Sequence, residues 1–173
     1  GFEDVAADAD SEETVESVAP ETNLARITHT FRDAVYKANL RFDEDLVRAF
    51  VASLVTRRFA ILTGLSGSGK TRLAMALGQW FGQGKYRVVA VRPDWTSAEA
   101  IFGYEDALAA PDAQGRRAWH VPDALAFMLA ARDDPAHPYL LVLDEMNLGR
   151  PEHYLAEVLS RIEQRAPAPG GYE

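Results

Sequence analysis

Apolar positions along the chain follow two kinds of pattern. Leu24, Ile27, Phe31, Val35 and Ala38 recur at helical spacing. So do Leu46, Val47, Phe50, Val51, Leu54 and Val55, a set opened by the acidic Asp43, Glu44 and Asp45. Each set predicts an amphipathic helix, and the pair is expected to pack on the edge of the domain that follows. From residue 59 the pattern changes to short continuous apolar runs alternating with helical stretches. Phe59, Ala60, Ile61, Leu62 and Thr63 predict a first strand. Leu73, Ala74, Leu77, Trp80 and Phe81 predict a helix over 70–81. A second strand is expected over 86–91 and a short helical turn over 98–102. A long loop or hairpin over 103–121 carries Pro111, Gly115, Arg116 and Arg117. Pro122 suits the first turn of a helix running to 132. Tyr139, Leu140, Leu141, Val142 and Leu143 predict a third strand, followed by a helix over 151–164. Alternation of apolar strands with helices predicts an α/β fold, a parallel sheet with helices on both faces. Three strands make a thin sheet for that architecture, so further strands are expected downstream.

Charge separates the first 22 residues from the rest. The chain of 173 residues carries a net charge of −8. Glu3, Asp4, Asp8, Asp10, Glu12, Glu13, Glu16 and Glu21 lie ahead of the first basic residue, and without those eight the acids and bases balance at 18 each. Such a segment buries too little apolar surface to offset its ordering entropy, so 1–22 is read as a disordered acidic linker. The expected organisation continues with a helical pair over 23–57, a core over 58–165 and a Pro/Gly tail over 166–173. The neutral remainder offers no basic domain from which to argue nucleic-acid binding. No apolar run approaches the ~18 to 20 residues of a membrane span. No cationic stretch followed by an apolar one opens the chain. It begins at Gly1 rather than Met, so a preceding leader or domain stays open. Cysteine is absent, which removes disulfides, thiolate metal sites and cysteine nucleophiles and is compatible with a cytoplasmic location.

The chemistry concentrates in Gly64-Leu65-Ser66-Gly67-Ser68-Gly69-Lys70-Thr71, a full match to the G-x-x-x-x-G-K-[ST] phosphate-binding loop. Glycines let the backbone approach a phosphate chain, and the N-terminus of the following helix adds partial positive charge there. Gly64, Ser66, Gly67, Ser68, Gly69, Lys70, Thr71 and Arg72 are therefore the expected nucleotide-binding residues. Lys70 is expected to reach the β- and γ-phosphates, and the Thr71 hydroxyl to ligate Mg²⁺. A glycine turn arising by chance would not need a strand before it and a helix after it.

A second acidic element follows 74 residues after Lys70, where the apolar run 140–143 ends in Asp144 and Glu145. That places a carboxylate at the C-terminal edge of a buried strand, where open α/β sheets bind ligands. Asp144 is expected to complete the Mg²⁺ shell beside Thr71, and Glu145 to polarise the attacking water. Together these make the fold a P-loop NTPase three-layer sandwich. A water-activating Glu beside a metal-binding Asp favours hydrolysis over transfer to a small acceptor.

The order of four segments then carries a family resemblance. The phosphate loop, Arg92-Pro93-Asp94-Trp95, Ile101-Phe102-Gly103-Tyr104 and Asp144-Glu145-Met146-Asn147 precede a helix with Glu152-His153-Tyr154. In that combination, over about 59–163, the chain resembles AAA+ ATPases of the McrB-like branch, related to methylcytosine-specific restriction subunits. The resemblance implies an ATP-hydrolysing motor core, a homo-oligomeric ring, often a hexamer, and coupling to a nuclease subunit or to DNA. It also implies a contact from Asn147 to the water or γ-phosphate, against which stands a turn or capping role. Restriction GTPases of this branch carry Met-Asn, two residues, then Asp-Arg. Here Leu148-Gly149-Arg150-Pro151 follows, so ATP is expected and GTP is the alternative. Sensor, arginine-finger and lid residues of such proteins would lie beyond Tyr172. An arginine finger is worth ~10³ to 10⁵ in rate, so slow hydrolysis is expected of the chain alone.

The remaining candidates keep two readings each. Trp95 lines an interface loop or sits in the core. Arg116 and Arg117 touch DNA in a pore or form a solvated loop pair. Arg150 serves a subunit interface or a surface ion pair. His29, His120, His137 and His153 lack metal-ligand spacing and default to surface or packing roles. Beside the ATPase stand a small-molecule P-loop kinase, which leaves Glu145 unexplained, and a nucleotide-binding regulatory module. Erosion of Lys70, Thr71 or Glu145 would suit the last, and all three are intact.

Overall fold

The computed structural model of the chain describes residues 21–164, 167–168 and 171–172. The acidic segment read as a linker lies outside them up to residue 20. The structure divides into two units, residues 1–60 and 61–173.

Within the first unit, α1 (Glu21–Lys37) and α2 (Glu44–Arg57) pack on each other. Phe31 and Val35 of α1 and Val47, Phe50 and Val51 of α2 are buried, the apolar stripes that the spacing sets out. Asp43 caps α2, its carboxylate accepting the N–H groups of Asp45 (2.9 Å) and Leu46 (3.1 Å). Glu44 in the first turn accepts from Arg32 of α1 at 2.6 Å.

The second unit begins with the phosphate-loop segment and α3 (Lys70–Phe81), which buries Leu73, Ala74, Ala76, Leu77 and Gly78. Next come β1 (Tyr86–Ala90), α4 (Glu99–Phe102), β2 (Tyr104–Glu105), β3 (Trp119–His120), α5 (Asp123–Arg132) and β4 (Leu140–Asp144). A 3₁₀ turn at Met146–Leu148 leads into α6 (Pro151–Tyr154) and α7 (Ala156–Glu163). The short strands β5 (Pro167–Ala168) and β6 (Gly171–Tyr172) pair antiparallel.

β1 and β4 are parallel, with Tyr86 opposite Leu140 and Ala90 opposite Asp144. Alternation along the strands gives this sheet two packed faces. Tyr86 meets α3, where a Cβ on Gly78 would lie 2.4 Å from that of Tyr86. Val89, Leu141 and Leu143 lie against the buried cluster of Val91, Trp95, Ile101, Ala124, Tyr154 and Leu155. Helices therefore cover both faces of a parallel sheet, a P-loop NTPase-like α/β arrangement.

Two expectations are corrected. Residues 59–63 are not in a strand, so the parallel sheet has two strands among the described residues rather than three. A strand exists only as one side of a ladder. Among the described residues β4 pairs with β1 alone, and Ile61 remains 55% exposed. The helix expected over 151–164 is divided at Leu155, whose φ of −98° departs from the helical value.

The segment 103–121 is a hairpin with Tyr104 opposite His120 and Glu105 opposite Trp119. Gly103 (φ 76°) makes it possible, because a Cβ there would sit 1.9 Å from the His120 carbonyl oxygen. At the N-terminal ends of β1 and β4, Asp134 accepts from Lys85, from Tyr139 Oη (2.9 Å) and from His137 Nδ1 (2.8 Å). These bonds, Lys85 first, hold the Asp134 carboxyl well below the usual carboxylate range.

Candidate nucleotide site

The glycine-rich loop meets α3 through Gly69, which is left-handed at φ 88°, as is Gly67 at φ 76°. A β-carbon disfavours that conformation, so glycine is the residue type the turn requires. Gly69 supplies the first helical acceptor, its carbonyl taking the Leu73 N–H at 2.9 Å. Lys70 and Thr71 thus open a 12-residue helix, whose free N–H groups and dipole favour an anion at that end. Lys70 folds over the loop, its Nζ donating to the carbonyl oxygens of Gly64 (3.0 Å) and Leu65 (2.8 Å), with Ser68 Oγ at 3.5 Å. Ser66, Ser68 and Arg72 are exposed, and Lys70 and Thr71 are half-buried.

β4 brings the second half of the site. The Thr71 hydroxyl donates to Asp144 Oδ1 at 2.9 Å, joining residues 73 apart in sequence. The Asp144 carbonyl accepts the Val91 N–H at 2.9 Å, so the carboxylate rests on a backbone still held in the sheet. A hydroxyl and a carboxylate side by side are hard oxygen donors, which fit Mg²⁺ better than a softer metal. Glu145 comes next, exposed and left-handed at φ 52° and ψ 43°. Asn147 is exposed in the 3₁₀ turn two residues further on.

The other sequence candidates resolve differently. Trp95 is buried, edge-on to Tyr154 with ring centroids 5.3 Å apart. Arg116 pairs with Asp112 at 3.0 Å. Arg117 donates to the Ala107 carbonyl and lies 3.8 Å from Glu105. Both arginines thus bond within their own hairpin. Arg150 is exposed, and its carbonyl accepts the His153 N–H at 2.8 Å. His29 lies 3.4 Å from Asp33, and His120 stacks on Tyr104. Tyr154, which the family resemblance includes without a site role, and Gly149, which it gives none, lie directly behind the turn that follows Glu145. An isolated Tyr on a helix carries no signal of that kind, since the contact is made across the fold.

A phosphate loop opening a helix, with a strand-end carboxylate bonded to its threonine, defines the class as a P-loop nucleotide-binding protein. Residues 60–170 match the model of the AAA domain, dynein-related subfamily, and the chain belongs to that family. No curated protein matches the chain. AAA membership makes it a nucleotide-binding ATPase core. Among the described residues no helix is long and apolar enough to cross a membrane.

Proposed function

We propose that this chain binds ATP with Mg²⁺ and hydrolyses it as part of an AAA+ motor core of the McrB-like branch. One observation carries the reading: the 2.9 Å bond from Thr71 to Asp144, which joins the start of α3 to the end of β4. Lys70 offers an ammonium at the loop, where phosphate oxygens compete with the Gly64 and Leu65 carbonyls for its donors. Thr71 and Asp144 present two oxygens to the metal, and Gly64 to Arg72 present the backbone of the loop and first turn. Magnesium, when bound, neutralises charge on the phosphate oxygens. The Glu145 carboxylate accepts a proton from water as the water oxygen bonds to the γ-phosphorus and the bond to the bridging oxygen breaks. ADP and phosphate are the products. Asn147 stands close enough in sequence to share the orientation of that water.

AAA domains commonly oligomerise, and the resemblance supports a homo-oligomeric ring coupled to a nuclease or DNA-acting partner. Arg116 and Arg117 are not assigned to DNA, because their donors serve the hairpin. The altered segment after Asn147 supports ATP over GTP.

Binding of ATP and GTP, each with Mg²⁺, to the chain and to Lys70→Ala tests the reading. ATP binding in the micromolar range that Lys70→Ala abolishes supports it. Preference for GTP moves the chain to the restriction-type GTPases, and binding of neither nucleotide overturns the proposal. Glu145→Gln is expected to bind ATP like the parent and to lose turnover.

A further inference from the structure

Three non-glycine residues among those described have positive φ: Asn39, Arg58 and Glu145. Asn39 follows α1, and Arg58 caps α2 with its N–H on the Leu54 carbonyl. A left-handed residue there closes a helix, which is the usual use of that conformation. Glu145 is different. It follows a strand and opens the 3₁₀ turn at Met146–Leu148 rather than closing a helix, and a β-carbon in that conformation crowds the next carbonyl. A residue persists in such a state only where its surroundings over-determine it.

Three hydrogen bonds do so. The Val91 N–H fixes the Asp144 carbonyl ahead of Glu145 (2.9 Å). The Leu148 N–H fixes the Glu145 carbonyl (2.9 Å). Tyr154 Oη fixes the Met146 carbonyl immediately after it (2.9 Å), and of the three this alone comes from a side chain. Tyr154 is itself rigidly held. It is fully buried, edge-on to Trp95 at an interplanar angle of 82°, and its ring borders Gly149 so closely that a Cβ there would lie 3.0 Å from Cε1. Burial pushes the phenol's pKa up, so the hydroxyl stays a donor throughout the neutral range. Apolar packing would be satisfied by Phe. The hydroxyl is explained by the carbonyl it meets.

We infer that Tyr154 is a positioning residue for Glu145, its buried hydroxyl pinning the Met146 carbonyl and so the backbone that presents the Glu145 carboxylate beside Asp144. This rests on the proposal that Glu145 receives the proton of the attacking water. Trp95 is the buttress that keeps the Tyr154 ring in place. The segments carrying Trp95, Glu145 and Tyr154 thereby act on one carboxylate, although they are separated by 50 residues and by 9.

The test is Tyr154→Phe in the full chain, compared with the parent, Lys70→Ala and Glu145→Gln. Three quantities are read: Mg·ATP affinity, turnover, and hydrogen exchange of the Leu148 amide. The expected result is affinity within about twofold of the parent, turnover lower by about 10- to 100-fold, as for a small misplacement of a reacting group, and faster Leu148 exchange. Simple loss of folding would instead reduce affinity and turnover together. Parental turnover in folded Tyr154→Phe overturns the inference, and so does parental Leu148 exchange. Should the parent bind no nucleotide, or Glu145→Gln turn over normally, the proposed function fails on those variants. Leu148 exchange then decides the pin by itself. If Tyr154→Phe does not fold, Gly149→Ala carries the test, since its Cβ would press on the Tyr154 ring and on Val91 Cγ1 at 3.1 Å. It is expected to lower turnover in the same way and by less, and unchanged turnover and exchange in that variant overturn the inference.

Discussion

At the residue scale, two kinds of position separate cleanly. The turn from Gly64 to Thr71 follows from its residue types, since the left-handed Gly67 and Gly69 and the helix opening at Lys70 are local requirements. Asp144 was readable because an apolar run ending in a carboxylate marks a strand edge. Tyr154 was not, since its partner is a carbonyl eight residues away on a separate turn. Asp134 was equally silent. Its bonds to Lys85, His137 and Tyr139 make a pH dependence that can be signed. A carboxyl whose folded pKa is depressed adds stability that is fully present above its unfolded value near 4 and fades as pH falls below it. Lys85 is raised, chiefly by the same bond, so its share persists below its unfolded value near 10.4 and is lost as pH rises through the folded one. Asp134→Asn should therefore be less stable than the parent near neutral pH, with the gap closing as pH falls below about 4. Urea midpoints measured across pH check this, and a gap that widens in acid would contradict it.

At the element scale, the helix at 70–81 announced itself, the one expected over 151–164 is divided at Leu155, and one strand did not form. The pattern over 70–81 coincides with α3 because amphipathic spacing and the glycine ahead of it act locally. The apolar run at 59–63 has strand composition, but a ladder needs a second strand and composition does not supply one. Gly78 shows how packing can reverse an element's own preference. In a free helix Gly→Ala stabilises by about 1 kcal/mol. Here the added Cβ would lie 2.4 Å from Tyr86 Cβ and 2.5 Å from Cγ, so α3 must move off β1. Gly78→Ala is expected to destabilise by about 1–3 kcal/mol, the range of overpacked cores. It should also weaken nucleotide binding, because α3 carries Lys70 and Thr71 at its first turn. Thermal unfolding with and without Mg·ATP measures both effects, and a stabilised variant would refute the close packing.

At the scale of the whole molecule, the proposed ring makes turnover a collective property. If a neighbouring copy completes the site, turnover per chain rises with chain concentration, and steady-state hydrolysis over a concentration series reads this directly. A flat series would show that one copy suffices and would count against the ring. Residue types and short-range spacing set the phosphate-loop turn, the helix at 70–81 and the strand that ends in Asp144, because glycine turns, helical spacing and strand-end acids are local requirements. Tertiary structure alone decided which runs pair as strands and that the hairpin arginines bond within the hairpin. It also decided that Trp95 is core and that a buried tyrosine holds the Met146 carbonyl in the turn after Glu145. Those outcomes depend on which surfaces meet across tens of residues, and no local pattern encodes the meeting.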